Sequence, residues 1–153
     1  MNYLLDTNVI SELIAKQPDK RVVNWLDSLD PNTVYLSVIT IGEIQRGIEK
    51  LPPSKRRDRV KEWLAGDLLF RFEGRILSVT IEVMLVWGEL TVRLEKEERP
   101  LTAMDSLIAS IALHGDYRLV TRNEHDFQHT GVTIINPWKQ PLPPSPTQFP
   151  ASS

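Results

Sequence analysis

The chain has 153 residues, a formal net charge of −2, 41% hydrophobic and 25% charged residues, and no cysteine. It is long enough to bury a core unaided, and its composition excludes disordered and fibrous classes, disulfide scaffolds and thiolate metal sites. The acidic balance also excludes the broadly basic surface expected of a general nucleic-acid binder.

The N-terminal stretch MNYLLDTNVISEL predicts a strand over Asn2–Leu5, followed at once by a carboxylate, Asp6, and then by an apolar run of helical character. A core strand that ends on a charge needs a partner for it, because burying an unpaired carboxylate is costly. Asp6 and Glu12 also interrupt what would otherwise resemble the apolar region of a secretory signal. No apolar run reaches the length of a bilayer span. These features set the expectation of a soluble, cytoplasmic protein without a membrane partner.

A second strand is predicted over Val34–Val38. The helix after it carries Ile41, Ile44 and Ile48 on one face, and Thr40-Ile-Gly-Glu43 is expected to open it, with Glu43 in the first turn. Pro52-Pro53 then breaks the chain before a basic segment, Lys50 to Lys61, in which Lys50, Lys55, Arg56, Arg57, Arg59 and Lys61 face a single acid, Asp58. Such a run is ordinarily a solvated face; beside a phosphate-cutting site it would supply phosphate contacts. A strand over Arg75–Val79 and a long helix over Ile81–Glu98 follow. In the next helix, Thr102–His114, Met104, Leu107, Ile108 and Ile111 share one face and Asp105 lies in the first turn. Strands over Tyr117–Thr121 and Val132–Ile135 flank a turn that begins at Asn123 and includes Asp126. From Gln140 the sequence QPLPPSPTQFPASS holds five prolines, so residues 1–138 are expected to form one domain and 139–153 a proline-rich disordered tail.

Strand–helix alternation of this kind predicts an α/β fold, with a mostly parallel sheet of about five strands covered on both faces. In such sheets the functional crevice lies beyond the carboxyl ends of the strands. Asp6, Glu43 and the Asn123/Asp126 pair are expected there; spacing alone does not bring Asp105 to it, since its helix precedes a strand. Each acid also fits a local role, because Thr-x-x-Glu, Thr-x-x-Asp and Asn-x-x-Asp are helix-capping patterns and acids are favoured near helix N-termini. If the acids meet, repulsion raises their pKa values unless a cation sits among them. All-oxygen donors favour Mg²⁺ or Mn²⁺, and His125 with His129 lack a third zinc-type ligand. An acid cluster of this type suits phosphodiester hydrolysis by a metal-activated water.

The ordered set LLDTNVI, IGEI with Gly47 one turn on, DSLIASIAL, LVTRN-x-x-DF and INPW resembles the PIN-domain nucleases, specifically the VapC-type toxins of bacterial toxin–antitoxin pairs, from Asn2 to Trp138. The resemblance implies a three-layer α/β/α fold and a Mg²⁺- or Mn²⁺-dependent endoribonuclease acting on RNA. It also implies a homodimer and inhibition by a small cognate antitoxin that docks a C-terminal segment over the active-site groove. By position it makes Asp6 and Asp105 the principal metal-binding aspartates and Glu43 the third acid. Where many members carry a further aspartate this chain has Asn123, a candidate for orienting water or substrate, and Asp126 is the expected fourth acid. The alternatives are an RNA-processing PIN nuclease without an antitoxin and, in a different class, a receiver-like phosphoacceptor module. A haloacid-dehalogenase-type site would want D-x-D, where this chain has Asp6-Thr-Asn8.

Overall fold

Five short strands pair in parallel in the order β3-β2-β1-β4-β5: β1 (Tyr3–Leu5), β2 (Val34–Ser37), β3 (Ile76–Leu77), β4 (Arg118–Val120) and β5 (Ile134–Ile135). They belong to a computed structural model that describes residues 1–141, so the proline-rich tail expected over 139–153 lies, from 142 on, outside the described residues. Between β1 and β2 run α1 (Thr7–Leu13) and α2 (Lys20–Asp27). After β2 come α3 (Val38–Lys50), α4 (Lys55–Glu62), a π-helical stretch (Trp63–Leu68) and α5 (Leu69–Arg71). Then α6 (Ile81–Lys96) and α7 (Ala103–Gly115) lead to β4, and α8 (Glu124–Phe127) to β5. Among the described residues no helix is long and apolar enough to cross a membrane.

The layers follow from the period-two alternation of side chains along a strand. Leu4 and Leu119 point into one apolar cluster with Val83, Leu90 and Leu94 of α6 and Ile108 and Ile111 of α7. Their neighbours Leu5 and Val120, with Val34 and Leu36, point into a second cluster with Val9 and Ile10 of α1, Val22 of α2 and Ile44 and Ile48 of α3. Both sheet faces are therefore buried, as a parallel sheet requires, and the three-layer α/β/α architecture results. The strands are shorter than the sequence suggests: Val79 and Val132 fall outside β3 and β5.

Chain order leaves β1 in opposite directions, to β2 and β3 on one side and to β4 and β5 on the other. The crevice of such a sheet opens at that switch, above the carboxyl ends of β1 and β4. One expected boundary differs. The third helix opens at Val38, not at Thr40, because the buried Ser37 hydroxyl accepts from the Thr40 N–H at 3.3 Å and acts as the N-cap. Glu43 thus lies in the second turn of α3. Ser37→Ala should lower stability by about 1 kcal/mol through loss of this cap; chemical denaturation showing no loss would return the cap to Thr40.

Candidate active site

Asp6 leaves the end of β1 and remains almost wholly buried, with 4% of its surface exposed. Its two oxygens are held separately. Oδ1 accepts from the Thr7 N–H at 2.8 Å, and Oδ2 accepts from the Thr121 hydroxyl at 2.8 Å and the Asn8 amide at 3.4 Å. Thr121, at the end of β4, is itself saturated: its oxygen also accepts from Asn8 Nδ2 at 3.2 Å and from the Asn123 N–H at 3.0 Å. The two strand ends of the switch point are thereby tied through one hydroxyl. Asp6 is also the N-cap of α1, so its position at the strand end serves the helix as well.

Glu43 reaches the same place from α3, where the Thr7 hydroxyl donates to its Oε1 at 2.6 Å and lies 3.1 Å from the buried Thr40 hydroxyl. Asp105 enters from the first turn of α7, whose N-cap Thr102 accepts from the Asp105 N–H at 3.2 Å. Asp6, Glu43 and Asp105, with Asn8, Glu12, Arg122, Asn123 and Trp138, line a cavity of about 490 Å³ at the switch point. Asp105, which spacing could not bring to the crevice, is there because α7 begins at it.

Asp126 is placed differently from expectation. It is exposed and lines a neighbouring hollow with Pro100, Leu101, His125 and His129, and it acts on the crevice only by its charge on Asp105. The acid that does join the crevice is Glu12, which accepts from the Trp138 indole N–H at 3.2 Å. Asn123 lines the cavity as the N-cap of α8 but makes no side-chain capping bond, so its amide is left to the crevice. The basic segment is also partly committed. Arg57 turns inward to the Ile48 carbonyl at 3.3 Å and Glu49 at 3.1 Å, closing the end of α3. Arg56, in contrast, lines an apolar hollow that shares Thr7, Ser11 and Glu43 with the crevice.

Electrostatics record the cost of this gathering. Burial pushes the Asp6 carboxyl up from 3.8 to about 6, against the lowering effect of the Thr121 and Thr7 bonds, and Asp105 and Glu43 push it further up. Asp105 is also raised, first by its burial and then by Asp126 and Glu43, with the Thr102 bond opposing. Among the described residues no group of three or more His, Asp or Glu side chains is arranged to hold a metal ion.

The sequence model of the PIN domain matches residues 3–132. The chain belongs to the PIN-domain family. Its relatives include the toxin FitB of Neisseria gonorrhoeae, 37% identical across 88% of this chain and 97% of that protein. Another is the VapC ribonuclease Y4jK of Sinorhizobium fredii, 34% identical across 89% and 97%. The crystal structure of FitAcB from Neisseria gonorrhoeae superposes with a TM-score of 0.85 at 36% identity, covering 90% of this chain and 99% of that one.

In this PIN domain the raised Asp6 carboxyl fixes a pH dependence. The folded state holds its proton up to about pH 6, the unfolded chain only to 3.8. Unfolding therefore releases a proton between those values, so the metal-free protein loses stability as pH rises from about 4 to 6, by roughly 3 kcal/mol in all. Asp6→Asn should remove that loss and be the more stable protein at pH 7. Urea titrations of both proteins at pH 4 and pH 7 check it; parallel pH profiles would overturn it.

Proposed function

We propose that this PIN domain is a Mg²⁺- or Mn²⁺-dependent endoribonuclease that hydrolyses RNA phosphodiester bonds, the toxin of a toxin–antitoxin pair. The observation that carries the reading is the meeting of Asp6, Glu43 and Asp105 at the sheet's switch point in a chain whose relatives include a VapC ribonuclease and the toxin FitB.

The donor chemistry fits a hard divalent cation. Asp6 and Asp105 offer only oxygen, and both resist ionisation because they are buried and face neighbouring acids. Mg²⁺ is commonly held by one or two carboxylates and otherwise keeps its waters and substrate phosphate oxygens, so Asp6 and Asp105 suffice as its direct protein ligands, with Glu43 beside them in the crevice. When bound, the ion lowers the pKa of the attacking water and offsets charge on the phosphate. The protein's own residues do the positioning. Thr121 and the Thr7 N–H fix both Asp6 oxygens, and the Thr7 hydroxyl turns Glu43 toward the crevice, where its carboxylate accepts the proton of the attacking water. The Asn123 amide contacts substrate from the opposite wall, and Asp126 adds negative potential from outside through Asp105.

Two partners accompany this reading. A cognate antitoxin would lay a segment in the apolar hollow of Ile14, Ile44, Ile48, Leu51 and Val60, which runs directly into the crevice at Thr7 and Glu43. A second copy would cover the outer face of α6, where Ile81 and Leu85, spaced by one turn, are 77% and 66% exposed and Val92 continues the stripe. Leu85→Glu should then elute as a monomer in size-exclusion chromatography with light scattering, whereas an unchanged mass would remove α6 from the dimer.

Cleavage of an RNA substrate should require Mg²⁺ or Mn²⁺ and stop with EDTA. Asp105→Asn should abolish it without loss of fold, and Mg²⁺ should raise the melting temperature of the wild-type protein but not of Asp6→Asn. Full activity in metal-free buffer would sink the proposal, as would an Asp105→Asn protein that cleaves in proportion to its folded fraction.

A further inference from the structure

Arg122 is the single basic side chain among the described residues that line the crevice, which otherwise presents Asp6, Glu12, Glu43 and Asp105. A guanidinium so placed would be expected to fold onto a carboxylate. It does not: among the described residues no acid forms an ion pair with it. Its guanidinium carbon lies instead 5.1 Å from the ring centroid of Trp138, a cation–π contact.

That contact is built from several sides. Trp138 is only 6% exposed, and its indole N–H is spent on Glu12, which fixes the ring plane. Its backbone N–H donates to Asn136 Oδ1 at 3.0 Å, and the Asn136 amide in turn donates to Glu124 Oε2 at 3.1 Å. The backbone of Arg122 is pinned as well, its N–H donating to Asn8 Oδ1 at 3.3 Å, while the flanking Thr121 holds Asp6. One short segment, Thr121-Arg122-Asn123, thus bonds the principal acid with its first residue and carries an unpaired cation on its second. The aromatic face holds that cation off the crevice acids, although its charge also reaches Asp19, and the guanidinium's planar fork of donors matches a phosphate oxygen pair.

We propose that Arg122 grips a backbone phosphate of the RNA in the crevice, with Trp138 serving to hold the guanidinium apart from the carboxylates until substrate arrives. The inference rests on the ribonuclease reading. It explains how an anion enters a crevice lined by four acids, and it gives Trp138, in the final motif of the domain, a place in substrate binding.

The test measures binding of a mixed-sequence single-stranded oligoribonucleotide across a salt series, in the Asp105→Asn background, with Arg122, Arg122→Gln and Arg122→Lys. Arg122→Gln should weaken binding about tenfold and lower the slope of log affinity on log salt by about 0.7, the increment of one phosphate contact to a single strand. Arg122→Lys should keep the slope and recover part of the affinity. In the cleaving protein, Arg122→Gln should raise KM more than it lowers kcat and leave the preferred cleavage site unchanged, because phosphate contacts carry no sequence information. Affinity and slope unchanged in Arg122→Gln, with its melting temperature intact, would overturn the proposal and assign the guanidinium to packing on Trp138 or to a protein partner. Weaker binding at an unchanged slope would overturn it too, pointing to a base contact. Cleavage by the parent protein and its loss in Asp105→Asn test the ribonuclease reading separately, so failure of either one is distinguishable.

Discussion

A carboxylate buried at the end of the central strand is the constraint around which this PIN domain is organised. Two strong hydrogen bonds to Asp6 work to keep it ionised, yet burial and two neighbouring acids outweigh them and its pKa still rises to about 6. The ranking matters. Hydrogen bonds here fix where the two oxygens point, while the energetic deficit is left in place. Full satisfaction of Asp6 by protein donors would have made a stable cap with no appetite for a further ligand.

The rest of the charge distribution is consistent with that deficit. Several basic side chains of the domain are engaged away from the crevice. Arg57 closes α3 against Ile48 and Glu49, Arg21 pairs with Asp19, Lys139 pairs with Glu124, and Arg75 caps the carbonyls of Pro31, Val34 and Arg71. Among the described residues that line the crevice only Arg122 is basic, and it lies over the Trp138 ring. The crevice thus presents four acids against one basic side chain among the described residues, an arrangement that suits the proposed divalent cation.

Most of the fold is legible in the sequence, because it is written in local patterns. The alternation of Leu4 against Leu5 and the spacing of Ile108 and Ile111 predict which face each residue buries, and both sheet faces are covered as expected, although Met104, expected on the same helix face, is exposed. The acid at the strand end is legible in the same way, whereas Asp105 is placed in the crevice by the resemblance and not by its spacing. What failed were features decided by a competing donor or by geometry beyond the local segment. Thr40 looked like a cap because Thr-x-x-Glu is a capping pattern; Ser37 lies three residues earlier, and its hydroxyl takes the Thr40 N–H instead. Asp126, the expected fourth acid, lies on the single turn of α8 and lines the neighbouring hollow, from which its charge still acts on Asp105. Glu12 lies one turn after Asn8 on the side of α1 that lines the crevice, and Trp138, from the far end of the domain, donates to it. No spacing rule relates those two residues. The same holds for Arg122 and Trp138: the strand order decides that pairing, and a single sequence does not state its strand order.

Thr121 shows how fold and site become one problem. Its hydroxyl donates to Asp6 and accepts from Asn8 and from the Asn123 backbone, which exhausts its capacity. It therefore couples the end of β4 to the end of β1 across the switch point, and it sets the direction in which Arg122 and Asn123 leave the sheet. A ligand that binds Asp6 only in the folded state stabilises that state, by an amount that grows with the logarithm of its concentration above Kd. The free energy withheld at Asp6 in the metal-free fold is then available to binding. The sheet carries an acid at the end of its central strand, and the crevice above it is where a cation of the proposed kind would answer that charge.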